Sequence, residues 1–194
     1  MGVDKIIWRA ILSTLAAVVL LIMFLFVALV CFYPSTMMEL TYKLGMDKQS
    51  IRFAERAYKR SDDVYYIAYA TEVAIGIESY EKIDVCGEKF ISDTEFEEYC
   101  LSENPTYKQY VYGQVCVAKY EREQKDEAVE RAFELLEEGA FPKNNAVVAV
   151  LLTALSENDG QTVAKIQIKM TELQGKISPT DKPYFDEILA FCNG

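Results

Sequence analysis

The segment AILSTLAAVVLLIMFLFVALVCFY, Ala10 to Tyr33, carries no charged residue, and only Ser13 and Thr14 within it are clearly polar. A hydrocarbon core about 30 Å thick needs roughly 20 apolar residues at helical rise, so these 24 suffice with some tilt. A cleaved signal peptide would have an apolar region of only about 7 to 15 residues, followed by small residues at the cut. This run is longer, and Ala28-Leu29-Val30 ahead of Cys31 is neither an A-x-A site nor a good lipoprotein box. A buried core helix is the other reading, but no core in so short a chain needs a helix apolar on every face. The stretch reads as an uncleaved transmembrane anchor that tethers everything after Pro34 to a bilayer.

Lys and Arg are retained on the cytoplasmic side of a span. Lys5 and Arg9 crowd its N-terminal edge, whereas Tyr33 to Tyr42 holds no basic residue, and Trp8 and Tyr33 suit the two interfaces. The expected topology is a short cytoplasmic N-terminus (residues 1–9), a signal-anchor helix (10–33) and an extracytoplasmic domain (34–194). Lys43, Lys48 and Arg52 lie close enough beyond the span to weaken that asymmetry.

The domain's 161 residues make one ordinary folding unit with room for a sizeable core. It holds 18 basic against 29 acidic residues, a formal charge of −11 that repels nucleic acid and anionic lipid and favours basic partners or none. The chain contains no histidine, which excludes Ser-His-Asp and Cys-His catalysis and removes the usual metal ligand. Cys86, Cys100, Cys116 and Cys192 form no C-x-x-C pair, so no zinc site is expected. One disulfide, between Cys86 and Cys100 or between Cys100 and Cys116, stays open beside the reading of these residues as small buried hydrophobes. Neighbouring carboxylates such as Glu97-Glu98 and Glu137-Glu138 point about 100° apart on a helix, which suits solvated faces rather than an acid-base pair. Gly113, Gly139 and Gly160 are isolated, so no phosphate-cradling loop is visible and no cofactor is expected.

After Ser35 the apolar residues recur at three- and four-residue spacing, which predicts an all-α domain. The expected helices run from Thr36, capped by Ser35, to Leu44, from Met46-Asp47 to Ser61, from Val64 to Ile77 with Tyr66, Tyr69, Ala70 and Val73 inward, and from Tyr80 to Ile91. An acidic insertion follows near residues 92–105, with a short helix in which Phe96, Tyr99 and Cys100 pack inward. Further helices are expected from Tyr107 to Arg122, from Asp126 to Glu138 with Gly139 ending it, from Asn144 or Asn145 beyond Phe141-Pro142 to Leu155, from Gln161 to Leu173, and from Ser178-Pro179 to Phe191.

Paired helices invite a search for a repeat. Ser50, Ala54 and Ala57 align with Ile83, Gly87 and Phe90, then with Ala128, Ala132 and Leu135, then with Thr162, Ile166 and Lys169, at offsets of 33, 45 and 34. The long interval is a unit of about 34 residues plus the acidic insertion. Tyr112-Gly113 with Cys116 looks like the Leu-Gly and aromatic positions of a tetratricopeptide first helix. Asp126-Glu127-Ala128 with Ala132 and Leu135 resembles its second helix, and Tyr66, Tyr69, Ala70 and Val73 match the first-helix pattern with Ala70 in place of glycine. From about Met37 to Leu173 the chain therefore resembles a degenerate tetratricopeptide (TPR-like) repeat; the tryptophan position and closing proline are mostly missing, which leaves another helical hairpin repeat open. The last helix would cap the exposed end of the core.

The resemblance implies a concave groove lined by first helices, and the matching positions are Ile67 and Thr71 in one pair and Tyr107, Tyr110 and Gln114 in the next. Thirteen tyrosines fit such a surface, since tyrosine is enriched where proteins bind peptides. The expected protein is a signal-anchor protein of bacterial type, not an enzyme, that recruits a partner protein or stabilises a membrane complex, similar to the ancillary, chaperone-like subunits of membrane secretion machinery. Two rivals stay open: a receptor for basic extended peptides with a cytosolic domain, resembling the mitochondrial import receptor, and an enzyme with an unrecognised carboxylate site. Small residues at Ala10, Ser13, Thr14 and Ala17 also give a weak pattern for self-association of the span.

Overall fold

The computed structural model describes residues 3–137 and 146–193, whose regular elements are all helices, with no strand among them. The first helix, α1 (Val3–Phe32), holds a stretch from Ile7 to Phe32 that is long and apolar enough to cross a membrane, and its apolar side chains are exposed along that length. Its two hydroxyls are satisfied locally: Ser13 and Thr14 both donate to the Ala10 carbonyl, at 2.9 and 3.0 Å. That internal pairing removes the cost of bringing them into hydrocarbon.

Ten helices follow among the described residues: α2 (Pro34–Lys43), α3 (Asp47–Ser61), α4 (Val64–Gly76), α5 (Tyr80–Ile91), α6 (Phe96–Glu103), α7 (Tyr107–Glu121), α8 (Lys125–Glu137), α9 (Ala146–Ser156), α10 (Gly160–Leu173) and α11 (Lys182–Asn193). Connections of two or three residues force each helix back along its predecessor, so α2/α3, α4/α5, α7/α8 and α9/α10 pack as pairs. The expected boundaries at Gly139, Phe141-Pro142 and Asn144 or Asn145 lie outside the described residues.

Each pair closes on the same turn. Gly45, Glu78, Glu123 and Asn158 all take left-handed φ, at 68, 52, 63 and 56°. The amide after each reaches back five residues: Met46 to Thr41, Ser79 to Ala74, Gln124 to Lys119 and Asp159 to Ala154, at 2.8, 3.0, 2.9 and 2.8 Å. This is a Schellman closure, which satisfies carbonyls that a helix end leaves bare. Its spacing along the chain follows the offsets of the buried second-helix positions, matching the first two and exceeding the third by one residue. Ser50, Ile83, Ala128 and Thr162 are buried at one equivalent position and Ala54, Gly87, Ala132 and Ile166 at the next. At the third position Ala57 and Phe90 are buried, but Lys169 is half-exposed and reaches Glu130; the Leu135 side chain lies outside the description.

The long interval is occupied by α6, which packs on α4 and α7 while α5 packs directly on α7. Phe96 and Cys100 anchor it, with the Phe96 ring edge-on to Phe90 at 4.8 Å. The Asp93 carboxylate accepts from the Glu95 amide at 2.9 Å and from the Tyr58 hydroxyl at 2.6 Å. Two local expectations are corrected. Ser35 caps nothing, because Pro34 already starts α2, supplying a fixed φ where an amide has no partner. The last helix begins at Lys182, after Ser178 accepts from the Asp181 amide at 3.2 Å. Its Phe185 and Ile188 are buried, and it packs on α10 at the end of the stack.

Candidate functional site

The α4 helix is apolar on almost every side because α3, α5 and α6 all pack on it. That corrects the groove assignment for two residues. Ile67 and Thr71 are fully buried, and the Thr71 hydroxyl donates to the Ile67 carbonyl at 2.8 Å, so both belong to the core and neither presents a surface to a partner. Tyr66 and Tyr69, expected inward, are half-buried instead. Seven apolar or small residues of α4 are buried, and such a helix has no single stripe from which to read a register.

The surface that α4 does present is aromatic. Tyr65, Tyr69 and Glu72 share one face at four- and three-residue spacing. The Tyr69 ring lies 5.8 Å from Tyr42 of α2, edge-on, and 6.3 Å from Tyr65. Glu72 accepts from the Tyr107 hydroxyl at 2.6 Å, which carries the series onto α7. There Tyr107 lies 6.3 Å from both Tyr110 and Tyr99 of α6. Tyr42, Tyr65 and Tyr110 are 52, 47 and 46 % exposed, a large fraction for rings that the fold could have buried. Tyr107 and Gln114 are half-buried. The structure thus joins Tyr107 and Tyr110, as the sequence indicated, and adds Tyr42, Tyr65, Tyr69 and Glu72. The spacing of Tyr65, Tyr69 and Glu72 was the sequence signal for the additional face.

Between α2 and α4 this face opens into a cleft of about 310 Å³ lined by Tyr42, Asp47, Tyr69, Glu72, Val73, Gly76 and Ile77, with two carboxylates and no Lys or Arg. Burial, reinforced by Glu72 and Glu103 nearby, pushes the Tyr99 hydroxyl up to about 12. Burial first and the bond to Glu72 second push Tyr107 far above the ordinary tyrosine range. Both rings stay neutral donors at any physiological pH. The surface offers aromatic faces bounded by negative charge, which is an environment for Arg and Lys side chains.

Two ionic clusters lie elsewhere. Asp84 and Glu88 of α5 are bridged by Lys119 Nζ at 3.0 and 3.2 Å, and Arg122 and Arg131 pair with the same two carboxylates. Each of these acids faces cations, so the cluster ties α5 to α7 and α8. At the turn before α10, Asp159 accepts from Lys125 at 2.9 Å, the Tyr120 hydroxyl at 3.0 Å and the Thr162 amide at 3.2 Å. Cys86 and Cys100 thiols are pushed up to about 12 by burial, and Cys116 higher still. No disulfide joins the described cysteines, and no group of His, Cys, Asp and Glu suited to a metal occurs among the described residues. No known protein family, curated protein or solved structure matches the chain.

Proposed function

We propose that this is a single-pass membrane protein whose tetratricopeptide-like domain binds a basic segment of another protein on the tyrosine-lined face of α2, α4 and α7. The observation that carries this reading is the pair of tyrosine clusters, Tyr42, Tyr65 and Tyr69 on one side and Tyr99, Tyr107 and Tyr110 on the other, joined through Glu72 and edged by Asp47 and Glu103. A surface of that kind gives large contact area at small entropic cost and selects cations by charge and by ring faces. The work of the protein is recruitment or stabilisation of a membrane complex, with no reaction of its own. Its anchor is α1, and Lys5 and Arg9 beside that helix favour an N-terminus in the cytoplasm and a domain outside.

One observation favours a second topology. The fold brings Arg56, Lys59 and Arg60 to the C-terminal end of α1, adding positive charge on the side of the domain and favouring a cytosolic receptor for basic peptides. Reporter fusions at the C-terminus separate the two. The binding reading itself is tested by Asp47→Lys and Glu72→Lys in the full-length protein in native membranes. Loss of one discrete copurifying partner, restored by a charge-reversed partner, supports it, and unchanged capture contradicts it.

A further inference from the structure

The helix α3 carries its positive charge on one side. Lys48, Arg52, Arg56, Lys59 and Arg60 follow at intervals of four, four, three and one, a single row about 18 Å long at helical rise. The opposite face buries Ser50, Ile51, Ala54 and Ala57. All five cations are exposed, and none makes an ion pair among the described residues. Glu55 on the same helix is taken up by Lys82 at 3.0 Å and Lys89 at 3.6 Å and neutralises nothing in the row. Like charges one turn apart repel one another, and no carboxylate among the described residues pairs with these five, so the row is open to a negative ligand.

A second observation says where that something is. Arg60 donates to the Phe32 carbonyl at 3.2 Å and to the Cys31 carbonyl at 2.5 Å, capping the last turn of α1. Arg56, Lys59 and Arg60 face Val30, Cys31 and Pro34 across a cleft of about 400 Å³. One wall is the apolar end of α1 and the other is the basic row, which is the arrangement a phospholipid meets where its acyl chain joins its phosphate.

We infer that α3 is a second membrane attachment, its basic row binding the phosphates of anionic lipids in the leaflet at which α1 ends. The inference rests on α1 spanning the bilayer. Arg56, Lys59 and Arg60 stand at headgroup level, while Arg52 and Lys48 extend the positive potential outward over about one Debye length. Residues 48–63 hold five cations and three carboxylates, Glu55, Asp62 and Asp63, so this stretch stays positive although the domain as a whole is acidic.

The test uses the full-length chain in phosphatidylcholine vesicles with trace spin-labelled phosphatidylglycerol or phosphatidylcholine, reading the lipid fraction immobilised on the protein. The wild type should hold the anionic lipid over the neutral one by roughly fivefold or more, from a weighting of about that size per cation near the surface. The Arg52→Gln, Arg56→Gln, Lys59→Gln variant, which leaves the Arg60 cap intact, should fall to within about twofold, as should the wild type at high salt. Lys5→Gln with Arg9→Gln at the other end should retain most of the selectivity. Equal selectivity in wild type and triple variant, or none in the wild type, overturns the inference while α1 remains inserted. Alkaline carbonate extraction of the chain from the vesicles overturns the reading of α1, and the inference with it.

Discussion

Tyr107 and Glu72, 35 residues apart, are joined by a 2.6 Å hydrogen bond that ties the first helix of one pair to the first helix of the next. The bond separates the two tyrosines that sequence reading treats alike. Tyr107 is held between Glu72, Phe90 and Tyr99, whereas Tyr110 is 46 % exposed. Replacing Tyr107 by Ala should therefore destabilise the full-length protein by about 2 to 3 kcal/mol, below the cost for a fully buried ring. Tyr107→Phe should cost about 1 kcal/mol, the loss of one hydrogen bond to a carboxylate that water can reach. Tyr110→Ala should change stability by less than about 0.5 kcal/mol. Denaturant melts in micelles check all three.

The recurring turns supply a prediction in the opposite direction. A left-handed backbone costs a side chain about 1 kcal/mol that glycine does not pay, and of the four turns only the first has glycine. Glu78→Gly and Glu123→Gly should each raise stability, by about 0.5 to 1 kcal/mol. Thermal melts showing destabilisation at both would mean that these turns are not closed as described.

At Gly87 the backbone of α5 approaches α7 so closely that a Cβ would clash with Val115 Cγ2. Gly87→Ala should cost about 1 to 3 kcal/mol through overpacking of a buried contact. Adding Val115→Ala clears the space, so the double variant should lose less than the sum of the two single losses. Strict additivity in that cycle would place the two residues apart.

Asp159 is held well below the usual carboxylate range, chiefly by Lys125 and also by the Thr162 hydroxyl and amide and the Tyr120 hydroxyl. A lowered folded-state value favours the folded protein above about pH 4, and the advantage disappears as pH falls toward that value. Asp159→Asn keeps a side chain able to cap α10 but removes the charge. At pH 7 the variant should be less stable by about 1 to 2 kcal/mol, and the gap should close between about pH 5 and pH 2. A gap that is constant over this range would remove the ion pair from the account.

The second helices were legible because their buried faces are narrow and opposed to charge, as in α3, where Ser50, Ala54 and Ala57 mark a clean stripe. The helix pairs followed from that stripe and from the offsets. What was not legible was the register of α4, since an apolar helix packed on three sides lets Ile67 and Thr71 look as suited to a groove as to a core. The turns were half legible: Gly45 announces itself, but Glu78, Glu123 and Asn158 reach the same conformation because the next helix starts at once and holds them there. The basic row of α3 was present in the sequence all along, and only the contact between Arg60 and the end of α1 gave it a direction.

Binding on the tyrosine face requires that a partner come within reach of both Tyr65 and Tyr110. A photoreactive amino acid placed at Tyr110, and separately at Tyr65, in the full-length protein in native membranes measures this against the same group at Ile168 of α10, which is 59 % exposed but off that face. The account predicts one discrete adduct from both tyrosine positions, weakened by salt and by Glu72→Lys, and none from position 168. The same adduct from all three positions, or adducts from Ile168 alone, would contradict it.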